Sequence, residues 1–322
     1  MDFIVSVQLC GGLCNRIFQI MACLGYAEKY NLHPVLYTVF MDNNQHTTMD
    51  QTIIAIKTLF PVIDISNEIV NQSGFDVIQI SGDDACRWIP LRPPRDIMGR
   101  VLLKGYFQSE KYFPSEKYLA THFKKYLPDK KIYTNPDIDP DQCHFFIHVR
   151  CGDYVGNYFH EIPQHQLTKY YQTAINQILA IKPAAVFHIF TNAGNIEQIR
   201  HYFQVNSNLN LLDRINYRFM SEYTSEQDPL STLEAMARIG GNCNGVGGGI
   251  GVNSSFSWMA AYLARRIWQS QYYDMDRDMD GDKNGNSNQE RPMFFLPRRW
   301  FNCLEYDRYK DIFPTWAKII GQ

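Results

Sequence analysis

The sequence predicts an α/β protein of two domains with mostly parallel sheets, on three observations. The chain has 322 residues, 45% of them hydrophobic, which is about twice an ordinary domain and enough for two cores. Buried-type strands alternate with helical stretches along most of it. Pro128 to Asp141 carries three prolines among several charges, the composition of an interdomain linker.

Phe3 to Leu9 is apolar and β-branched and runs into Gly11-Gly12, the pattern of a buried strand ending in a tight turn. Ile17, Ile20, Met21, Leu24 and Ala27 then fall at helical spacing, and Pro34 to Phe40 is strand-like, so the chain opens with a βαβ unit. Met41 to Pro94 holds polar Asn and Gln runs, a weak strand at Asp76 to Ile80 and the cluster Arg92-Pro93-Pro94-Arg95; no other element is assigned there. Val101 to Phe107 reads as a strand. Past the linker, His144 to Val149 is a continuous buried strand, and Leu167, Tyr170, Ala174, Ile178 and Ile181 share a helix face. A strand at Val186 to Phe190, a helix from Asn195, a strand near Tyr217 to Met220, a helix from Pro229 to Ile239, a strand near Val246 to Val252 and a helix from Ser255 follow. This half is therefore expected to be Rossmann-like. The domains are drawn at 1–135 and 136–322, and a C-terminal helix could pack back on the first.

Lys and Arg number 31 against 33 Asp and Glu, a net charge of −2, so no global field draws the chain to nucleic acid or an anionic membrane. Met1-Asp2-Phe3-Ile4 has no basic region before its short apolar run and is not a signal peptide. No stretch approaches the roughly 18 apolar residues of a membrane span, and a cytoplasmic protein is expected. The eight cysteines form no CxxC pair, and Cys10 and Cys14 lack zinc spacing; reduced thiols and no metal are expected. The sequons Asn71-Gln72-Ser73 and Asn253-Ser254-Ser255 lose their usual meaning in that setting.

Ligands of open parallel sheets bind beyond the carboxyl ends of strands. Three such places carry unusual residues. Gly11-Gly12 is either a plain strand-to-helix turn or a close approach to ligand, with Asn15 and Arg16 adding donors at the helix entrance. It is not the dinucleotide pattern GxGxxG. Arg150, after an apolar strand, either pairs with Asp153 or forks onto phosphate oxygens, while His148 within the strand is first of all a core histidine. Asn253-Ser254-Ser255 is a helix-capping sequence whose free amides also suit an anion. Arg150 and that helix start across one sheet edge would make a diphosphate clamp.

Taken together, Val7 to Gln19 with its Gly11-Gly12-Leu13-Cys14-Asn15-Arg16 core, Gly105-Tyr106-Phe107-Gln108, His148-Val149-Arg150-Cys151-Gly152-Asp153-Tyr154-Val155-Gly156, Asn253 to Leu263 and Pro297-Arg298-Arg299-Trp300 resemble glycosyltransferase family 11, the α-1,2-fucosyltransferases. The motifs run in the family's order over most of the chain. The resemblance implies a GT-B fold of two facing Rossmann-like domains, GDP-L-fucose held mainly by the C-terminal one, and inverting transfer without a metal. It also implies that Arg150 holds the β-phosphate and that His148 lies along the nucleotide. Asn253, Ser254, Ser255 and Phe256 would then meet the phosphates, Asp228 the guanine, and Gly11, Gly12, Asn15 and Arg16 would line the acceptor side.

Two positions depart from that pattern: Cys151 replaces a second arginine, and Arg16 replaces a glutamine. Arg16 is expected to supply from the other domain the charge that Cys151 lacks. Asp153, His160 and Glu161 are the candidate general bases. Gly240 to Gly251, with seven glycines in twelve residues, reads as a flexible insertion. Asp276, Asp278 and Asp280 match the first half of an EF-hand loop, but Ser287 stands where the bidentate Glu belongs, which favours a solvated acidic loop over calcium. The function expected is fucosyl transfer from GDP-L-fucose to the 2-hydroxyl of a terminal β-galactoside. The competitors are another sugar or acceptor such as rhamnose, or a silent glycan- or nucleotide-binding protein.

Overall fold

The computed structural model describes residues 3–43, 47–95, 99–123, 142–151, 154–220, 229–241, 247–272 and 291–321. The chain divides into unit 1, Met1–Lys125 with Leu304–Pro314, and unit 2, Tyr126–Cys303 with Thr315–Gln322. The expected linker and the boundary at 135/136 lie outside the described residues.

Unit 1 is built on five parallel strands, β1 (Ile4–Val7), β2 (His33–Tyr37), β3 (Asp64–Ser66), β4 (Asp76–Gln79) and β5 (Arg100–Lys104), in the order β3-β2-β1-β5-β4. Helix α1 (Leu13–Tyr30) joins β1 to β2 and buries Ile17, Ile20, Met21, Leu24 and Ala27, the residues that share its predicted face. The stretch left unassigned after Met41 contains α2 (Met49–Leu59), opened by a capping box. The Thr48 hydroxyl accepts the Gln51 amide at 3.2 Å, and the Gln51 side chain accepts the Thr48 amide at 2.9 Å. Helix α3 (Glu116–His122) ends the described N-terminal part.

Unit 2 holds β6 (His144–Val149), α4 (Gln164–Ile181), β7 (Val186–Thr191), the short hairpin β8 (Gln204–Asn206) and β9 (Leu209–Asn210), β10 (Asn216–Phe219), α5 (Pro229–Gly241), β11 (Gly248–Ile250), α6 (Ser255–Tyr272), β12 (Met293–Pro297) and β13 (Lys318–Ile320). Its six-stranded sheet is all parallel in the order β10-β7-β6-β11-β12-β13. Numbered within the unit this is 3-2-1-4-5-6, the doubly wound order. Side chains alternate across β6: Phe145, Ile147 and Val149 pack with Tyr170, Tyr171, Ala174, Ile175 and Ile178 of α4, while α5 and α6 cover the opposite face.

Four expectations are corrected. The glycine-rich stretch is no insertion: Gly240 and Gly241 end α5, and Gly248 and Gly249 lie in β11 inside the sheet. A Cβ on Gly249 would sit 2.2 Å from the Phe146 ring, and one on Gly241 2.3 Å from the Ala264 carbonyl oxygen, so these are sites of close approach. Residues 242–246 lie outside the described residues. The helix expected from Asn195 is two 3₁₀ turns, Ile196–Gln198 and Arg200–Phe203, and the chain then enters β8 at Gln204. Ile181, the last residue of α4, runs past the core and is 53% exposed. Among the described residues no C-terminal α-helix forms: Leu304–Pro314 belongs to unit 1 as 3₁₀ turns, where Asp311 accepts the Trp88 amide at 3.3 Å and pairs with Lys111.

Candidate functional site

Strand order in unit 2 reverses between β6 and β11, whose register pairs Ile147 with Ile250. That reversal point is where doubly wound sheets take ligands. Arg150 and Cys151 leave β6 there, and residues 251–254 leave β11 to enter α6.

Ser254 caps α6: its hydroxyl accepts the Phe256 amide at 3.2 Å and its carbonyl accepts the Trp258 amide at 3.1 Å. The amides of Ser255 and Ser257, in the first turn, have no intrahelical acceptor. The first turn of α6 itself holds no acidic side chain.

Arg150 is half-buried, with its guanidinium 5.3 Å from the centre of the Tyr154 ring. Tyr154 is itself anchored, since its hydroxyl donates to the Asn253 carbonyl at 3.1 Å and its ring stacks on His160 at 4.9 Å. Asn253 is buried, and its amide donates to the carbonyls of His160 (2.7 Å) and Trp300 (3.0 Å). The guanidinium and the helix start are thus held by one chain of contacts, Arg150 to Tyr154 to Asn253 to Ser254. Asn253, read from sequence as a ligand contact, spends its side-chain donors on this brace.

His148 is buried beside Phe256, with ring centres 5.8 Å apart, and its Nδ1 lies 2.5 Å from the Ser257 hydroxyl. That hydroxyl also accepts the Val252 amide at 3.0 Å, so one serine oxygen ties the end of β11 to the His148 ring. Burial, with Arg150 nearby, holds the His148 pKa down at about 3. His188 of β7, 2.9 Å from Nδ1 of His144, is also pushed to about 3, again chiefly by burial. Both rings are neutral in the folded protein, whereas an unfolded histidine gains a proton near 6.5. Stability is therefore complete above that pH and falls as the pH drops toward 3. Going from pH 7 to pH 5 is expected to remove about 2 kcal/mol per ring, or about 4 kcal/mol together. Urea unfolding at the two pH values measures this, and equal stabilities would contradict it.

Cys151 does not face outward as a second cation would. Its backbone is clasped by Asn192, which accepts the Cys151 amide at 2.7 Å and donates to its carbonyl at 3.1 Å. The thiol turns toward Thr191 (3.9 Å) and Tyr202, and burial pushes its pKa up. Glu161 is exposed and accepts the Gly156 amide at 3.1 Å. Asp153, Asp228 and the acidic run with Asp276, Asp278 and Asp280 lie outside the described residues.

In unit 1, Gly11 (φ +75°) and Gly12 turn the chain from β1 into α1, and Asn15 lies half-buried on the first turn. Arg16 departs from its expected role. It is 1% exposed and donates to the carbonyls of Gly11 (2.9 Å), Asp42 (2.7 Å) and Thr47 (3.1 Å) and to the Thr52 hydroxyl. Burial lowers its pKa, yet its donors are satisfied inside unit 1. The guanidinium cannot also serve as the charge that Cys151 lacks. Arg16→Met, which orphans these acceptors, is expected to cost about 3 kcal/mol in denaturant unfolding; a loss below about 1 kcal/mol would show that the strut is dispensable.

Sequence reasoning assigned no role to Tyr154, Asn192, Ser257 or Gln19. Each sits within a few residues of a strand's carboxyl end or on the first turns of the helix that follows, and that position was their available signal. Among the described residues no group of three or more His, Cys, Asp or Glu could hold a metal ion, no helix is long and apolar enough to cross a membrane, and no disulfide joins the cysteines. The chain matches no family model and no curated protein.

Proposed function

We propose that the protein is an inverting sugar transferase of the GT-B type that moves L-fucose from GDP-L-fucose to an acceptor glycan, with the 2-hydroxyl of a terminal β-galactoside as its target. The observation that carries this reading is the pairing of Arg150 with the start of α6 at the reversal point of the unit 2 sheet. A guanidinium fork and a set of helix amides are two different donors for one diphosphate, and the Tyr154–Asn253 brace keeps them in fixed relation. The motif resemblance supplies the identity of the sugar nucleotide.

In this reading the bond between the fucose anomeric carbon and the β-phosphate oxygen breaks while the acceptor oxygen attacks the opposite face. The electron pair leaves with GDP, where Arg150 and the amides of α6 meet the growing charge. The sugar passes through an oxocarbenium-like state. The acceptor proton goes to a carboxylate of the segment after β6, where Asp153 and Glu161 are the candidates.

Incubating the purified protein with GDP-L-fucose and a panel of β-galactosides, rhamnosides and other acceptors tests the reading by mass of product. Transfer to the galactosides is expected, and transfer only from another nucleotide sugar would overturn the donor. A second reading, a nucleotide-binding protein without turnover, is favoured by the inward thiol of Cys151 and the committed Arg16, and GDP binding with no transfer to any acceptor would select it.

A further inference from the structure

The carboxyl edge of the unit 1 sheet carries two loops tied together by side chains: the one leaving β1 at residues 8–12 and the one leaving β5 at residues 105–109. Gln19 of α1, fully buried, accepts the Cys10 amide at 3.0 Å and donates to the Gly105 carbonyl at 3.1 Å. Gln108 donates to the Asn15 side-chain oxygen at 2.8 Å. Two bridges therefore tie the turn after β1 and the start of α1 to the loop after β5.

Two features of that edge are left over by the packing. Tyr106 is 42% exposed, although Phe107 beside it is buried. The Asn15 Nδ2 and the Gln108 Oε1, on half-buried side chains, have no partner among the described residues. Either orientation of the two amides leaves one donor group and one acceptor group on the linked pair. The backbone is shaped for this outcome: Phe107 sits at φ +51°, a conformation that bulky residues avoid, locked by the Ser109 amide on its carbonyl (2.7 Å) and by edge packing on Tyr112 at 5.3 Å. Strain of this kind persists where surrounding structure enforces it and clusters at binding sites. Here it turns Phe107 inward and Tyr106 outward.

We propose that this edge of unit 1 is a carbohydrate subsite in which Tyr106 stacks on a pyranose face while the Asn15–Gln108 amide pair reads two neighbouring hydroxyls. A hydroxyl both donates and accepts, so it matches a paired amide donor and acceptor, and an aromatic ring matches the C–H face of a sugar. A β-galactoside fits best, because its axial 4-hydroxyl leaves the C–H bonds at C3, C4 and C5 together on one face. The proposal rests on the sugar-transfer reading and names the acceptor contacts within it.

Calorimetry with GDP and saturation-transfer NMR with N-acetyllactosamine and methyl β-galactoside separate the two ideas. The wild type is expected to bind both classes of ligand. Tyr106→Ala and Gln108→Ala are each expected to weaken saccharide binding at least tenfold with GDP affinity unchanged, and Tyr106→Phe should restore most of it. Saccharide affinity equal to wild type in folded Tyr106→Ala and Gln108→Ala variants would overturn the subsite while leaving the nucleotide reading intact, and so would a wild type that binds GDP but neither saccharide. Tyr106-dependent saccharide binding by a protein that ignores GDP would uphold the subsite and remove the transferase reading.

Discussion

Arg150→Ala is expected to lower turnover at least about 10²-fold, close to 3 kcal/mol of lost transition-state stabilisation. The guanidinium leaves β6 at the sheet's reversal point and rests over Tyr154, so its position is set before substrate arrives. A donor held in this way acts most strongly on charge that appears as the leaving group departs. The loss should therefore fall mainly on kcat, with a smaller change in the affinity for GDP. Arg150→Lys keeps the charge but loses the planar fork and the stacking on Tyr154, so it should recover only a part. Steady-state transfer kinetics with GDP-L-fucose, paired with GDP calorimetry, give both quantities. Near wild-type kcat in the alanine variant would remove Arg150 from the reaction.

Among single substitutions, the largest effect on stability is expected at Gly248. Its φ of +151° aims a Cβ at the adjacent strand, where the Met293 carbonyl oxygen would be 1.9 Å away. The obstacle is the backbone of the strand paired in register with it, so no rotamer change relieves it. Gly248→Ala must part β11 from β12 or break the unit 2 sheet, at an expected cost of about 3 kcal/mol or more. Gly74, whose surroundings are open, is the control: alanine there should change stability by less than about 0.5 kcal/mol. Urea unfolding of the two variants beside wild type makes the comparison. An unperturbed Gly248→Ala protein would mean that the close contact between these strands is not maintained in solution.

These glycines also mark where sequence reading went astray. Seven glycines in twelve residues look like a flexible loop by composition. Tight contact of β11 with β12 and with the Phe146 ring demands the same residue for the opposite reason, and only the neighbours in space distinguish the two. Arg16 is a similar case. A cation at a helix start beside two glycines suggests an anion site, but its acceptors come from residues 11, 42 and 47, a convergence that spacing along the chain does not reveal. By contrast the alternation of β6, α4 and β7, the face of α1 and the serine cap of α6 were legible, because each depends on period or on residues next to one another. The capping box Thr48-Met49-Asp50-Gln51 was legible too and was obscured by its polar surroundings. Placing Arg150 and the α6 start on one sheet edge needed only the rule for parallel strands.

The path of the chain has a consequence for how the protein can be taken apart. After leaving unit 1 the backbone returns to it with Leu304–Pro314 and then goes back to supply β13. The units are therefore not beads that one cut separates. A fragment ending at Lys125 would lose Asp311, the partner of Lys111 and of the Trp88 amide, and a truncation after Cys303 would strip the six-stranded sheet of its edge. Gene fusions, domain exchange and limited proteolysis must respect a chain in which Leu304–Pro314 serves unit 1 and Thr315–Gln322 serves unit 2.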